Sequence, residues 1–225
     1  MRIHLQRDLE SLEREVLAQS SLVEEMIYRA SQAIRRNRPE LVSEIMDREQ
    51  LVDENEVRIE ENCLKILALH QPVAKDLRRT ASILKINNDL ERMADLAVNI
   101  VERAQVLSQQ TKFSVPEALD RMAEVAVSMV KRALDAFVNL DVDLAREVCQ
   151  SDDEVDDLNR EVIVEVQRVM GQQPELIEPA LSLFSASRHI ERIADHATNI
   201  AEDVIYLVDG EIARHKHDLD PDAQP

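Results

Sequence analysis

Hydrophobic residues recur every three or four positions along most of the chain, which is the spacing of one face of an α-helix. The pattern is strictest towards the end of the first half, with apolar side chains at positions 83, 86, 90, 93, 97, 100 and 104. A sustained 3,4 spacing is typical of the seam along which long helices pack. The pattern therefore predicts an all-α protein built from helices that lie side by side.

Helix-breaking residues are scarce, and their positions divide this pattern into six segments. The breaks fall at Pro39, Pro72, Pro116, Asn139 to Asp141, and Pro174. The sequence predicts helices over 4–36, 39–69, 73–110, 115–138, 142–170 and 176–209. Because the connections are short, neighbouring helices are expected to run antiparallel.

Several residues at these breaks have the side chains expected at helix ends. Asn37 and Ser114 each precede a proline and a glutamate in the pattern of a capping box, and Asp141 is a third candidate N-cap. Gly171 and Gly210 suit the left-handed conformation that ends many helices. These residues predict where the helices begin and end.

The second half of the chain repeats the first. LERMADLAVNIVE (90–102) and IERIADHATNIAE (190–202) agree at eight of thirteen positions, and the similarity extends upstream at an offset of 103. The chain is therefore predicted to contain two tandem homologous three-helix bundles, over 1–110 and 115–210. Residues 211–225 are rich in Asp and Pro and are predicted to be a disordered tail.

The charge of the chain excludes several classes of partner. Lys and Arg number 27 against 45 Asp and Glu, giving a net charge of −18. Such a surface repels phosphate groups, which argues against nucleic acid or anionic membrane as a general partner. No apolar stretch approaches the roughly 18 residues that span a bilayer, and the N-terminus lacks a hydrophobic signal core. We therefore expect a cytoplasmic protein with no membrane insertion.

Acidic residues form a ladder on the third helix of each repeat. Glu91 and Asp95 stand four residues apart, and Glu191 and Asp195 occupy the equivalent positions. Like charges at this spacing repel each other along a helix, so a solvated surface more often alternates their sign. Asn99 and Asn199 continue the two ladders and are weaker ligand candidates.

The second helix of each repeat carries a matching pair. Four carboxylates brought together repel one another unless a cation neutralises them or some remain protonated. Oxygen ligands favour hard cations such as Mg²⁺, Mn²⁺, Ca²⁺ or iron. The predicted metal ligands are Glu49, Asp53, Glu91 and Asp95 in the first repeat, and Asp152, Asp156, Glu191 and Asp195 in the second.

Other readings of these residues stay open. The ladders are also compatible with a plain acidic face on a metal-free helical interaction module. A ferritin-type di-iron site requires Glu-xx-His, which does not occur. A carboxylate-bridged metal-dependent hydrolase or a metal store is the alternative in which the clusters act chemically, although a bundle surface offers an open and shallow site. No nucleotide-binding or nucleophile motif is present, so a non-enzymatic protein is the simplest interpretation.

Residues outside the ladders are interpreted as structural. His189 and His196 flank the second ladder and are expected to be surface or partly buried histidines. Cys63 and Cys149 lie in amphipathic patterns and are expected to pack as small apolar residues. Arg78 and Arg79 are present only in the first repeat and are expected to form salt bridges on the helix surface.

The chain resembles the PhoU family of phosphate-uptake regulators. The matching segments are QPVAKDLR (71–78), LERMADLAVNI (90–100) and IERIADHATNI (190–200), together with the duplicated acidic pairs. The resemblance implies two three-helix bundles in a cytoplasmic homodimer that acts as a negative regulator of the phosphate-starvation response. Its implied partners are the ATPase subunit of the phosphate ABC transporter and a PhoR-type sensor histidine kinase.

The resemblance also implies a cofactor. In that family the E/D-xxx-D motifs bind multinuclear clusters of iron or zinc on the bundle surface. Carried over by position, the four acidic residues of each repeat named above would serve one such site each. The sequence is accordingly interpreted as a metal-binding adaptor in phosphate homeostasis.

Overall fold

The computed structural model describes residues 2–35, 38, 40–108 and 114–210. Its described residues form six long α-helices and a single 3₁₀ turn, Pro174–Leu176. The helices are α1 (Arg2–Arg35), α2 (Leu41–His70), α3 (Ala74–Ser108), α4 (Glu117–Asn139), α5 (Val142–Gln172) and α6 (Ile177–Asp209). The predicted all-α fold with two repeated bundles is confirmed, while the predicted tail, 211–225, lies outside the described residues.

The described residues include four of the five predicted caps. Asp141 accepts a hydrogen bond from the backbone N–H of Leu144 at 3.0 Å, as expected of an N-cap. Gly210 ends α6 with φ 76°, which is also as predicted. The prediction for Gly171 is wrong, because α5 continues through it to Gln172. Asn37 lies outside the described residues.

The predicted capping box at the start of α4 is also wrong. Pro116, with an extended backbone at ψ 144°, precedes the first residue of α4, and no side chain caps this end. Glu117 is thus the first residue of the helix rather than its third, so it cannot form the reciprocal hydrogen bonds of a capping box with Ser114.

The two bundles share one hydrophobic core. In each bundle the third helix packs against the other two, and α3 and α6 also pack against each other along the centre of the molecule. A second contact between the bundles is made by α1 and α4. The buried side chains of both repeats form one continuous cluster, so the repeats are halves of one packed body.

The seam between α3 and α6 carries two polar contacts. Lys85 Nζ lies 2.8 Å from Asp203 Oδ1, and His196 Nδ1 lies 2.8 Å from Asp89 Oδ1. Between these contacts the residue number rises along α3 and falls along α6, so the two helices are antiparallel. Asp203 is only 2% exposed, which makes its contact with Lys85 a constraint on how the two repeats dock.

Candidate functional site

The first carboxylate set consists of Glu49 and Asp53 on α2 and Glu91 and Asp95 on α3. Burial raises the pKa of Glu49, and the negative charges of Asp53 and Asp95 raise it further. Burial also raises the pKa of Glu91, as do the charges of Asp95 and Asp53, while Arg92 opposes them. These influences act across the helix pair, so the packing of α2 on α3 brings the four predicted residues into one electrostatic neighbourhood.

The second carboxylate set consists of Asp152 and Asp156 on α5 and Glu191 and Asp195 on α6. Burial raises the pKa of Asp152 to about 6, assisted by the negative charges of Asp195, Asp156, Asp153 and Glu191. Burial is also the main cause of the raised pKa values of Glu191 and Asp195. Ionisation is therefore disfavoured at this site, and either a proton or a cation is favoured there.

Arginine side chains partly neutralise both sets. In the first set, Arg92 lies 3.4 Å from Glu91 and 3.7 Å from Asp95. In the second set, Arg188 lies 2.5 Å from Glu191 and lowers the pKa values of both Glu191 and Asp195. The position equivalent to Arg188 in the first repeat is 88, which is Asn. The ion pair between Arg188 and Glu191 therefore has no counterpart in the first repeat.

The donor chemistry of the two sets suits a hard cation, but the side chains do not form a complete coordination shell. Glu191 Oε2 is buried and has no hydrogen-bond partner, which leaves one ligand atom available in the second set. Within the described ranges, no three His, Cys, Asp or Glu side chains converge closely enough to share one ion. The arrangement consists of facing acidic pairs, and metal binding stays a prediction.

Glu56 is a further carboxylate beside the first set, and comparison of the two repeats does not reveal it. Its charge raises the pKa of Glu91, and its own pKa is raised by burial and by the charges of Glu60 and Asp53. At the equivalent position the second repeat has Asn159, so a search for duplicated acids could not find it. The available signal was its spacing, because Glu56 follows Asp53 by three residues on the same helix face.

The residues beside the ladders have roles in packing. His189 is half-buried, and burial together with Arg192 and Arg103 lowers its pKa. His196 is partly buried, and its ring contacts Asp89 of the first repeat across the seam between α3 and α6. Asn99 donates to the backbone carbonyl of Asp95 at 2.8 Å, so its amide nitrogen is used within α3.

Both cysteines and Arg79 have the structural roles that the sequence predicts. Cys63 is buried and Cys149 half-buried, and burial raises the pKa of their thiols to about 12 and about 11, as expected of packed, unreactive residues. Arg79 forms the predicted salt bridge, with Glu13 of α1.

Among the described residues Arg78 forms no ion pair, and its Nε has no hydrogen-bond partner. Its guanidinium lies beside Gly210, so that a Cβ added there would be 3.7 Å from Arg78 Cζ. This places its positive charge at the negative, C-terminal end of the α6 dipole, where a cation is stabilised without a carboxylate partner.

Comparison with known proteins gives a consistent result over both repeats. The profile of the PhoU domain family matches residues 16–104 and 119–204, one match in each repeat. A phosphate-specific transport system accessory protein PhoU homolog of Aquifex aeolicus is 38% identical over 211 residues, covering 94% of this chain and 96% of the relative. The homolog of Deinococcus radiodurans is 36% identical and covers 93% of this chain and 99% of the relative.

Solved structures show the same architecture. The crystal structure of PhoU from Pseudomonas aeruginosa superposes with a TM-score of 0.87 at 36% identity, covering 92% of this chain and 99% of that one. A phosphate transport system regulatory protein PhoU from Streptococcus pneumoniae gives a TM-score of 0.86 at 28% identity, covering 92% and 98%. In the described part of this chain, no helix is both long and apolar enough to cross a bilayer.

Proposed function

The chain belongs to the PhoU family, and on this premise we propose that it is a cytoplasmic accessory protein that regulates phosphate uptake and phosphate-starvation signalling. Its relatives are named as accessory proteins of phosphate-specific transport systems, which supports a regulatory role rather than a catalytic one. It would act as a negative regulator by contact with the ATPase subunit of the phosphate ABC transporter and with a sensor histidine kinase of the PhoR type. The net charge of −18 argues against direct capture of phosphate.

The proposal includes a metal-binding role for the two carboxylate sets. One observation carries it: equivalent residues of both repeats place two acidic helices face to face, and in the second set burial and neighbouring charges raise the pKa of Asp152 to about 6. A cation between the helices would relieve this repulsion and fix each pair of helices together. The second and third helices of each repeat would then offer a preformed surface to a partner. Iron, zinc, Mg²⁺, Mn²⁺ and Ca²⁺ are the candidate ions.

Elemental analysis tests the metal directly. The protein is purified without chelator beside a variant carrying Glu91→Gln, Asp95→Asn, Glu191→Gln and Asp195→Asn. A control variant changes the same number of charges at exposed positions outside both sets, by converting Glu10, Glu117, Glu161 and Glu175 to glutamine. We expect stoichiometric metal in the wild type and the control, and none in the site variant. Absence of metal from all three proteins, with equal helicity, would rule out the metal-binding role.

Partner binding is tested separately. Binding of the purified ATPase subunit and of the cytosolic part of the histidine kinase is measured with and without the metal identified above. We expect both partners to bind, and the site variant to bind more weakly. Isothermal titration with inorganic phosphate should give no heat of tight binding, and tight binding would contradict the proposed contact mechanism.

A metal-free interaction module is the second candidate, and one observation favours it. Arg92 and Arg188 already contact the carboxylates of the two sets, at 3.4 Å and 2.5 Å from Glu91 and Glu191. Here the acidic faces would contact a basic partner directly. Glu91→Gln with Asp95→Asn would then abolish partner binding without altering metal content, and the two candidates are distinguished by the same pair of measurements.

A further inference from the structure

An apolar stripe runs along the solvent face of α2. Met46, Val57 and Leu64 are 49%, 54% and 53% exposed, although the other face of α2 is buried in the core. Their spacings of eleven and seven residues place them on one line along the helix, about 27 Å long. Single exposed apolar residues are common, but three aligned on one helix face form the kind of seam that a second helix can pack against.

Acidic residues lie beside this stripe and within it. Asp47, Glu54 and Glu61 form a row at intervals of seven on one side, and Asp53 and Glu60 lie close to the line of the stripe, between its apolar residues. All five side chains are exposed. In the described part of the chain, only Glu61 among them has an ion pair, with Lys65 at 3.7 Å. The stripe therefore alternates apolar and acidic side chains, and a negative row runs along one side of it.

The two arginines of α2 pair with α1. Arg48 pairs with Glu25 of α1 at 2.7 Å, and Arg58 pairs with Glu15 of α1 at 3.3 Å. Both arginines pair with α1 and lie roughly 100° or more around α2 from the stripe. Among the described residues, Lys65 is the one basic residue of α2 that pairs with these acidic residues, at Glu61, and the other four have no ion pair.

The second repeat has no such stripe. At the positions equivalent to Met46, Val57 and Leu64, α5 carries Cys149, Arg160 and Gln167. Cys149 is half-buried, and the other two are exposed and polar. Packing of the bundle alone therefore does not require exposed apolar residues at these positions, because the equivalent helix folds without them.

We propose that the stripe Met46–Val57–Leu64 is a docking surface for an amphipathic helix of a partner protein. This helix carries apolar residues at heptad spacing and Lys or Arg beside them. Its apolar residues cover Met46, Val57 and Leu64, and its basic residues face Asp53 and Glu60 within the stripe and the acidic row beside it. A second copy of this chain does not fit, since an isologous contact would place acidic rows against each other. An anionic membrane is repelled for the same reason.

This inference rests on the proposed function only in requiring a protein partner. The probe is a fluorescent peptide of about 25 residues with leucine at heptad positions a and d and lysine at e and g. One comparison peptide has glutamate in place of lysine, and another has serine in place of leucine. Binding is followed by fluorescence anisotropy at low and at high salt.

Three variants of the full chain locate the binding surface. The stripe variant carries Met46→Ser, Val57→Ser and Leu64→Ser. The matched control carries Leu51→Ser and Leu69→Ser, two exposed residues of the same helix that lie roughly 120–140° away around its axis. The charge variant carries Asp47→Asn, Glu54→Gln and Glu61→Gln. None of these positions belongs to a carboxylate set. A loss of metal binding and a loss of peptide binding can therefore be distinguished.

We expect the leucine–lysine peptide to bind the wild type and the control equally, and the stripe variant roughly tenfold or more weakly. The charge variant should bind more weakly at low salt and lose most of the salt dependence. Equal binding to the stripe variant, equal binding of the serine peptide, or no binding to the wild type would overturn the proposal. So would a dimer in sedimentation that the stripe variant abolishes, because a second copy would then be the occupant.

Discussion

His196 Nδ1 lies 2.8 Å from Asp89 Oδ1, where α6 of the second repeat crosses α3 of the first. The two residues are not equivalent in the duplication, because position 189 is His and position 96 is Leu. The equivalent contact between positions 189 and 96 is therefore absent, and the polar pairing at the seam does not follow the repeat symmetry. Asp89 is buried, so its carboxylate depends on this partner.

We predict that His196→Leu costs about 2 to 3 kcal/mol of unfolding free energy, because it leaves the Asp89 carboxylate buried without its partner. The double variant Asp89→Leu, His196→Leu should recover to within about 1 kcal/mol of the wild type, since two apolar side chains replace the pair. Urea denaturation of both single variants and the double variant completes the cycle. Strictly additive losses would show that the two side chains do not interact energetically.

Replacement of each of the two glycines by alanine should change the stability of the protein in opposite directions. Gly210 ends α6 at φ 76°, and its new Cβ would also approach Arg78, so Gly210→Ala should destabilise by about 1 kcal/mol. Gly171 lies inside α5, and a Cβ there meets no atom within 4 Å. Gly171→Ala should therefore stabilise by a few tenths up to about 1 kcal/mol. Thermal melting of the pair is the measurement, and equal shifts would contradict the backbone argument.

The raised pKa of Asp152 predicts a specific pH dependence in the metal-free protein. Its pKa is about 6 in the folded chain and 3.8 ordinarily. Between these values the folded chain holds a proton that the unfolded chain has released, so this group's contribution to stability falls as pH rises from about 4 to about 6. Asp152→Asn should then be more stable than the wild type at neutral pH, by about 1 kcal/mol after allowance for solvent screening.

Urea denaturation in chelator at several pH values checks this prediction. The advantage of Asp152→Asn should disappear near pH 4, where the wild-type carboxyl is also protonated in the folded state. Glu161→Gln removes an exposed carboxylate of the same helix and serves as the control, with no such change across the range. An advantage independent of pH would mean that the asparagine stabilises through packing.

Arg188 should compete with a cation at the second carboxylate set. Its guanidinium lies 2.5 Å from Glu191, and it lowers the pKa values of Glu191 and Asp195. Arg188→Asn, which reproduces position 88 of the first repeat, should lower stability in chelator by a few tenths of a kcal/mol. It should also increase the rise in melting temperature on adding Mn²⁺, because the ion no longer displaces an arginine.

Arg168→Asn is the matched control for that experiment. Arg168 pairs with Glu165 on the same face of α5, at 2.5 Å, and neither residue belongs to a carboxylate set. Its removal should leave the Mn²⁺-dependent rise unchanged. An equal effect of both substitutions would show that stabilisation by Mn²⁺ depends on the overall charge of the protein rather than on the second carboxylate set.

The helix pattern was predictable because it depends on short-range periodicity. Apolar residues every three or four positions, with breakers between them, give bounds within two residues of the structure for most helix ends. The caps show the limit of this reasoning. Asp141 and Gly210 act as their side chains suggest, but Ser114 does not, because the backbone of the neighbouring Pro116 delays the start of α4. A local motif is decisive only where the backbone around it has the matching conformation.

The duplicated acidic pairs were found for a similar reason, since equivalent residues of two repeats are visible in sequence. Glu56 was not, because the second repeat has Asn159 in its place. Arg188 was likewise absent from the predicted set, although it lies against Glu191. Side chains that join a site from one repeat only give no signal in a comparison of the two halves.

The sequence by itself determined that this protein is all-α, that it is duplicated, and which carboxylates recur at equivalent positions. Only the tertiary structure decided which side chains meet between helices far apart in the chain: Asp89 with His196, Lys85 with Asp203, and Arg78 at the end of α6. The physical reason is range. Helix periodicity and capping act within a few residues, whereas contacts across the seam depend on the rotation and register of two packed helices, which the whole core fixes.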